Sequence, residues 1–413
     1  MNMMKICMVV HKYYYHDVRV RRYVESLVRT GASVDVICPA PYSLDAAFEG
    51  DEQIRIYSIP IRTADKSRIG YVIEYLLSFI WYFIRLSTLY IQNRYQVIHV
   101  HNMPDFLIFS AIIPKLMGAS LILDIHDLMP EVFISKYGER SNKLIVSLIK
   151  LQEKLSCWLA DEVITVNSIC ETNLMDRGLP SRKITVVHNY PNPAIFDRSL
   201  YPDEADSPKK DFILIYPGTL APRYGLETVV RALPQLKTQI PEIRLLIFCQ
   251  ETPYKDELRQ LADQLGVLPC VEIMPLIRNE EVPHRLMEAD IGIYPALNDV
   301  HMSLATPTKV LEFSAMGMPI VSSRLKMVEE TFGDSAIMFF ESGNVSQFAQ
   351  CVVELHQNPE LRKRLATNAY QMFIQKFSWD HEFRVYLELL RRLLPGTTVM
   401  GHLKTRKVQD ESD

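Results

Sequence analysis

Short apolar runs alternate with amphipathic stretches along almost the whole chain, and this alternation restricts the fold more than any other feature. Lys5 to Val10 reads as a strand. The loop HKYYYHD follows, then a helix from Asp17 to Arg29 with Asp17 as its cap. Val20, Tyr23, Val24, Leu27 and Val28 give that helix one apolar face of period 3.6. Gly31 closes it, and Ser33 to Cys38 is the next strand. A strand, a helix and a strand at this spacing demand a parallel pair and a right-handed crossover. The unit recurs. Strands are expected at Gln96–Val100, Leu121–Ile125, Glu162–Val166 and Ile184–Val187, with helices between them such as Asn142–Leu159. The first half is therefore α/β, a doubly wound parallel sheet.

At 413 residues the chain exceeds one ordinary core, so two domains are expected. The tract YPDEADSPKK, Tyr201 to Lys210, has no apolar periodicity and reads as a linker. A second series follows: strands at Phe212–Tyr216, Arg244–Phe248, Val271–Met274, Ile291–Tyr294 and Ala336–Phe340, with helices at Leu226–Leu233 and Lys255–Leu265. A helix through Leu361–Phe377 and a long amphipathic helix, Trp379–Leu394, close the ordered part, and the tail after Pro395 is polar. The domain reading is 1–200, 201–375, a terminal helix 376–396 and a tail 397–413.

The stretch TPTKVLEFSAMGMPIVSS, Thr306 to Ser323, carries the most chemistry. Thr306 with Pro307 is a helix start, a hydroxyl cap followed by a proline at the first helical position. Gly317 and Pro319 stop the helix. Its first turn, Pro307 to Lys309, offers backbone N–H groups and a positive dipole end to a phosphate, and Lys309 adds a point charge. Glu312, three residues on, shares that face and can accept the two hydroxyls of a ribose. Phosphate plus diol points to a nucleotide diphosphate. A solvated Lys–Glu pair on a capped helix is the plainer alternative.

After the first strand of the second half comes PGTLAPRYGLE. Gly218 permits close backbone approach, Thr219 offers a hydroxyl, and Arg223 presents a fork of donors to a phosphate. Lys309 belongs to the same edge of the same sheet, where ligands bind in parallel α/β folds. In the first half, LILDIHDLMPE places His126 just past a strand, with Asp127 and Glu131 near enough in sequence to set its tautomer. Asp127 as a simple helix cap is the rival reading. His99 and His101 alternate along one strand and lack a third ligand at metal spacing, so they read as packing or loop-anchoring residues. Arg19, Arg21 and Arg22 crowd the first turn of the first helix, where the dipole does not favour cations. They either face an anionic acceptor or are solvated charges, and the second is preferred.

Absences narrow the chemistry. No GxGxxG follows the first strand, and there is no P-loop, GxSxG, HExxH or DxD. The net charge of −4 argues against nucleic acid. Before position 200 there are 22 basic against 20 acidic residues, and after it 23 against 29, so the first half is the more basic. Seven scattered cysteines without a CxxC spacing read as buried thiols in a reducing compartment, and no secretory signal is present; a cytosolic protein is expected. The most hydrophobic segment, Ile69 to Ile91, is interrupted by Glu74 and Arg85 and is too short in its uncharged run to span a bilayer. A buried helix on the sheet is preferred to an interfacial helix touching the membrane.

With these pieces placed, the chain resembles the family-4 retaining glycosyltransferases. The resemblance runs through DVRVRRYVESLVRTGASVDV, IHVHN, DIHDLMPE, ITVVHNYPN, YPGTLAPRYGLETVVRAL, EADIGIYP, TPTKVLEFSAMGMPIV and FSWD. It implies the GT-B fold: two Rossmann-like domains facing a central cleft, with the terminal helix crossing back to the first. It implies a UDP- or GDP-sugar donor on the second domain, a glycan or lipid-linked acceptor on the first, and no metal or other cofactor. Glu312 would take the ribose, Lys309 and Arg223 the diphosphate, and His126 would lie near the transferred sugar, with Arg19 and Asp127 on the acceptor side. Three positions depart from the pattern: Leu304 stands where a second glutamate is common, Tyr224 where a lysine precedes the loop glycine, and Cys249-Gln250-Glu251 where a glycine-rich turn is usual. A sugar-nucleotide epimerase and a non-catalytic nucleotide-sugar binder are the alternatives.

Overall fold

The computed structural model describes residues 3–40, 53–59, 68–137, 142–201 and 211–395, with the backbone alone for 68–72. Most of the expected linker, 202–210, and the tail beyond 395 lie outside the described residues. The chain divides into two compact units. Unit 1 comprises Met1–Pro130, Ser141–His188 and Asp380–Asp413; unit 2 comprises Glu131–Arg140 and Asn189–Trp379.

In chain order the first series is β1 (Lys5–Val9), α1 (Val18–Arg29), β2 (Ser33–Pro39), β3 (Ile54–Ile59), α2 (Arg68–Asn93), β4 (Val97–His101), α3 (Ile112–Leu116), β5 (Ser120–Ile125), α4 (Met129–Tyr137), α5 (Lys143–Leu159), β6 (Glu162–Thr165), α6 (Ser168–Asp176) and β7 (Ile184–Val186). Its seven strands form one parallel sheet ordered β3-β2-β1-β4-β5-β6-β7. The chain reverses its direction of winding between β1 and β4, and in such sheets ligands bind where winding reverses. Asp17 caps α1 as the sequence implies, its carboxylate accepting from Val20 N at 3.0 Å.

The second series is β8 (Phe212–Pro217), α7 (Leu226–Gln239), β9 (Ile243–Cys249), α8 (Pro253–Gln264), β10 (Val271–Pro275), α9 (Val282–Glu288), β11 (Ile291–Tyr294), α10 (Thr308–Ala315), β12 (Ile320–Ser323), α11 (Lys326–Phe332), β13 (Met338–Phe340), α12 (Val345–Gln357), α13 (Pro359–Lys376) and α14 (Trp379–Leu393). Its parallel sheet is ordered β10-β9-β8-β11-β12-β13, with the reversal between β8 and β11. Both units are thus Rossmann-like α/β sheets. The helix expected to end at Leu233 instead runs through Pro234 to Gln239. The proline costs one hydrogen bond, but Leu233, Leu236 and Ile240 continue the buried face and hold the helix on the sheet.

Residues of α14 join unit 1. Its buried stripe, Phe383, Tyr386, Leu387 and Leu390, packs there, and three polar ties fix it. Tyr386 Oη lies 3.0 Å from His99 Nδ1. Glu382 accepts from the backbone N–H of His188 at 2.8 Å and lies 3.1 Å from its Nδ1. Arg392 donates to Glu162 and Thr185. Burial alone would raise the Glu382 carboxyl, but the hydrogen bonds and charge of His188 hold it below its ordinary value.

The hydrophobic segment 69–91 lies in α2, and the preference for a fully buried helix needs correcting. Tyr82, Leu86, Leu89 and Tyr90 are buried, yet Leu76, Leu77, Ile80, Trp81 and Ile84 on the other face are exposed. Among the described residues no helix is long and apolar enough to cross a membrane.

Candidate functional site

In unit 2 the residues picked from the sequence gather at the point where the sheet's winding reverses. Gly218 and Thr219 follow β8, and the turn Pro222–Tyr224 carries Arg223. From β11 the chain passes through Pro295, Ala296 and Leu297 and eventually enters α10, which carries Lys309 and Glu312. Lys309 and Glu312 are half-buried on α10, whereas Val310, Leu311 and Phe313 are its buried side. Phe313 sets the height of that helix. Its ring lies directly on Gly292 of β11, where any Cβ would collide with ring carbons. A fully buried phenylalanine stabilises this seating by about 2 kcal/mol.

Gly218 and Lys309 interlock. A Cβ added at Gly218 would fall within the end of the Lys309 side chain, at Cε and Nζ. The lysine therefore lies across the bare backbone of the β8 loop, and its Nζ stands 5.6 Å from the centre of the Tyr216 ring. Arg223 stands 5.9 Å above the ring of Tyr224, and the two tyrosine rings are 6.5 Å apart. Two half-buried cations thus rest over an aromatic floor, an attraction worth roughly 0.5–1 kcal/mol or more each. Arg223 forms no ion pair with a carboxylate among the described residues, so its charge is not neutralised locally.

The loop holding Arg223 is fixed from below. Gly225 has φ +68°, a left-handed conformation, and a Cβ there would strike the carbonyl of Pro295. The backbone N–H of Leu297 donates to the Arg223 carbonyl at 2.8 Å. Ser323 Oγ donates to the Ala296 carbonyl at 2.6 Å, tying the loop to β12.

The start of α10 differs by one residue from expectation. Thr306 does not cap a helix beginning at Pro307. Pro307 has ψ +68°, outside the helical region, and α10 starts at Thr308, whose N–H closes back on the Thr306 carbonyl at 2.8 Å. The first helical bond runs from Leu311 N–H to the Pro307 carbonyl. Lys309 and Val310 therefore sit in the first turn, where the helix dipole favours an anion.

In unit 1 the sheet edge carries His126, one residue past β5, and Asp127 after it. Both are half-buried. Asn102, just past β4, grips this turn from both sides. Its Oδ1 accepts from His126 N at 3.1 Å, and its Nδ2 donates to the Asp127 carbonyl at 2.6 Å and to Asp105 at 3.0 Å. His126 Nδ1 is buried with no hydrogen-bond partner among the described residues, so neither Asp127 nor Glu131 orients the ring through that nitrogen. Asn102 was not singled out from the sequence, although it ends the motif IHVHN.

Arg19 and Arg22 correct the preference for solvated charges. Both are buried in α1. Arg19 grips Asp124 with two bonds, Nε to Oδ2 at 2.7 Å and Nη2 to Oδ1 at 2.9 Å, and donates to the Val187 carbonyl at 3.2 Å. Arg21 pairs with Glu25 one turn on. The countercharge that permits this burial sits on β5, so no local pattern in α1 could reveal it. Burial raises the Asp124 carboxyl, but Arg19 and His101 outweigh it and hold the group far below the usual carboxylate range.

The same carboxylate supplies the third ligand that His99 and His101 seemed to lack. His101 pairs in register with Asp124 across β4 and β5, and donor atoms of the three residues lie within 4.8 Å of one another. His101 Nδ1 is 3.1 Å from Asp124 Oδ2. A divalent cation placed here would meet the guanidinium of Arg19. Burial and the neighbouring His101 also push His99 well below its ordinary value, so it is neutral. The set fits a hydrogen-bonded core better than a metal centre.

The comparisons agree with this fold. A model of the family "Glycosyl transferases group 1" matches residues 197–372, and one of the "Glycosyl transferase 4-like domain" matches 16–190. The chain belongs to the family-4 glycosyltransferases of GT-B fold. Among curated relatives it is similar to the D-inositol 3-phosphate glycosyltransferase of Nocardioides sp., at 24% identity over 89% of this chain and 82% of that protein. Its fold is that of the sucrose-phosphate synthase of Thermosynechococcus elongatus, with TM-score 0.74 and 17% identity, covering 95% of this chain and 100% of the other. It is also that of Anabaena HepE, whose structure was solved in complex with UDP-glucose, with TM-score 0.67 and 15% identity over 94% and 100%.

Proposed function

We propose that this glycosyltransferase is a retaining, metal-independent enzyme. It moves a sugar from a UDP- or GDP-sugar to a glycan or lipid-linked acceptor in glycoconjugate or polysaccharide assembly. The observation that carries the donor half of this reading is the interlock of Lys309 over Gly218, beside Arg223 and the first turn of α10. That arrangement supplies two cations and a helix N-terminus to a diphosphate, which takes over the role a metal would otherwise play. Glu312, on the same half-buried face of α10, accepts the ribose hydroxyls. The nucleotide complex of HepE supports a nucleotide-sugar donor for a chain of this fold.

His126 and Asp127, held by Asn102, are assigned to the acceptor side. His126 orients a hydroxyl for attack. In a retaining reaction of this type the departing phosphate takes the acceptor proton on the same face of the sugar, so Lys309 and Arg223 stabilise the developing charge as the glycosidic bond breaks. Arg19 acts behind this site by holding Asp124. The enzyme works in the cytoplasm, at the inner face of the membrane, with peripheral contact through 69–91.

The test is Glu312→Ala. The reading requires loss of both nucleotide binding and transfer; unchanged nucleotide affinity refutes the assignment of the donor site. Wild-type binding without transfer to any glycan or lipid-linked acceptor identifies a non-catalytic binder. Conversion of the donor sugar without acceptor identifies an epimerase.

A further inference from the structure

An ordinary surface helix turns its apolar stripe inward. In α5 the arrangement is reversed. Leu144, Leu148, Leu151, Leu155 and Trp158 recur every three or four residues, and all point to solvent, with Leu144 67% and Trp158 76% exposed. The inward face holds Glu153, Ser156 and Cys157. Glu153 is tied there by both oxygens to Arg177 Nη1, at 2.7 and 2.8 Å, so the helix cannot roll to bury its leucines without breaking a partly buried ion pair.

A second row runs beside the leucines. Lys143, Lys150 and Lys154 are all exposed, and at about 100° per residue they line up roughly a quarter turn from the apolar stripe. None of the three pairs with a carboxylate among the described residues. The stripe also has neighbours. Both α2 and α5 pack on the turn Asp105–Ala111, and α3 follows from that turn. The crossovers from β3 to β4, β4 to β5 and β5 to β6 all advance in one direction along the sheet, so right-handed connections set α2, α3 and α5 on one face. The exposed Leu76, Ile80 and Trp81 of α2 and Leu116 of α3, 83% exposed, extend the apolar surface beyond α5. Large exposed apolar side chains gathered on one face mark an interaction site.

We propose that this face of unit 1 seats on an anionic lipid bilayer, with the leucines and tryptophan entering the headgroup boundary and the lysine row meeting lipid phosphates. Charge decides the partner. An apolar stripe flanked by unpaired lysines, in a chain of net charge −4, fits an anionic interface better than a second copy of the same lysine-bearing face. The inference extends the membrane contact proposed for 69–91: it adds α3 and α5 and names the lipid chemistry. It depends on no residue of the donor site.

Co-flotation of the full chain with phosphatidylcholine vesicles, with and without phosphatidylglycerol, tests it. The wild type is expected to float only with phosphatidylglycerol present and to be released by salt. Lys143→Gln/Lys150→Gln/Lys154→Gln should partition on the order of 10²-fold less, taking each lysine near the surface as worth roughly fivefold. Leu148→Glu/Leu151→Glu should not float at all. Equal flotation of wild type and either variant, equal flotation on both vesicle types, or no flotation overturns the proposal. So does a dimer in sedimentation that the leucine substitutions dissociate without any vesicle binding. The melting temperature with and without UDP or GDP is read on the same preparations. A preserved nucleotide response separates failure of docking from failure of the fold or of the donor reading.

Discussion

Replacing Gly218 by alanine places a methyl group where the end of the Lys309 side chain lies. The atoms in the way are Cε and Nζ, the tip of a flexible chain, so the lysine swings aside, while the positive φ of Gly218, +158°, adds some backbone strain to the fold. The part of the cost that reads the interlock falls on binding. A hydrogen bond to a charged group contributes about 1.5–3 kcal/mol, so displacing the ammonium from a nucleotide diphosphate should weaken affinity roughly 10- to 150-fold. Lys309→Ala should cost about the same. The decisive quantity is the double variant. If both substitutions act on one ammonium group, Gly218→Ala/Lys309→Ala binds no worse than Lys309→Ala alone, and the coupling energy is about as large as either single effect. Calorimetric titration with the nucleotide that binds wild type, beside a urea unfolding curve for each variant, measures all terms. Additive losses, or wild-type affinity in Gly218→Ala, would refute the interlock.

Gly225→Ala should differ in kind, because its Cβ would strike the Pro295 carbonyl in a left-handed conformation. Backbone cannot step aside, so we expect a loss of about 1–3 kcal/mol in urea unfolding, from a backbone clash that Gly218→Ala does not share. Asp105 is fully buried, and burial drives its carboxyl up from 3.8 to about 7. A raised acid contributes stability that is complete below pH 4 and lost as pH climbs to 7, on the order of 4 kcal/mol at most. The difference in stability between wild type and Asp105→Asn should therefore drift across that window and be flat above it; a constant difference from pH 4 to 8 contradicts the shift. Asn102→Leu removes the side-chain bonds that grip the His126 turn, and should lower kcat for transfer at least tenfold while leaving the nucleotide Kd unchanged. Equal damage to both would show a general loss of structure.

The two parallel sheets were legible because strand and helix periods are local properties of the chain. Asp17 capping α1 came straight from residue type, whereas Asn142, expected as the first residue of its helix, is the cap of α5. The gathering of the proposed donor residues at one sheet edge was legible for a second reason: each follows a strand whose edge position the alternation already implies. Pairings between distant strands were not. Asp124 reaches Arg19 across 105 residues, and nothing in DVRVRR announces a buried guanidinium. The third ligand beside His99 and His101 stayed hidden for the same reason, since it arises from the register of β4 against β5. Apolar patterning misled at α2 and passed unremarked at α5, because periodicity reports that a helix has an apolar face and not whether that face points at the sheet.

The most direct measurement of the donor assignment is a titration of UDP, GDP and ADP and their sugar conjugates into wild type and Glu312→Ala, in chelator. A ligand bound only by the folded state also raises the melting temperature by mass action, which gives an independent check. One nucleotide should bind without metal, and Glu312→Ala should lose that binding. If none binds, or if Glu312→Ala binds as tightly as wild type, the site at α10 is not where the donor sits.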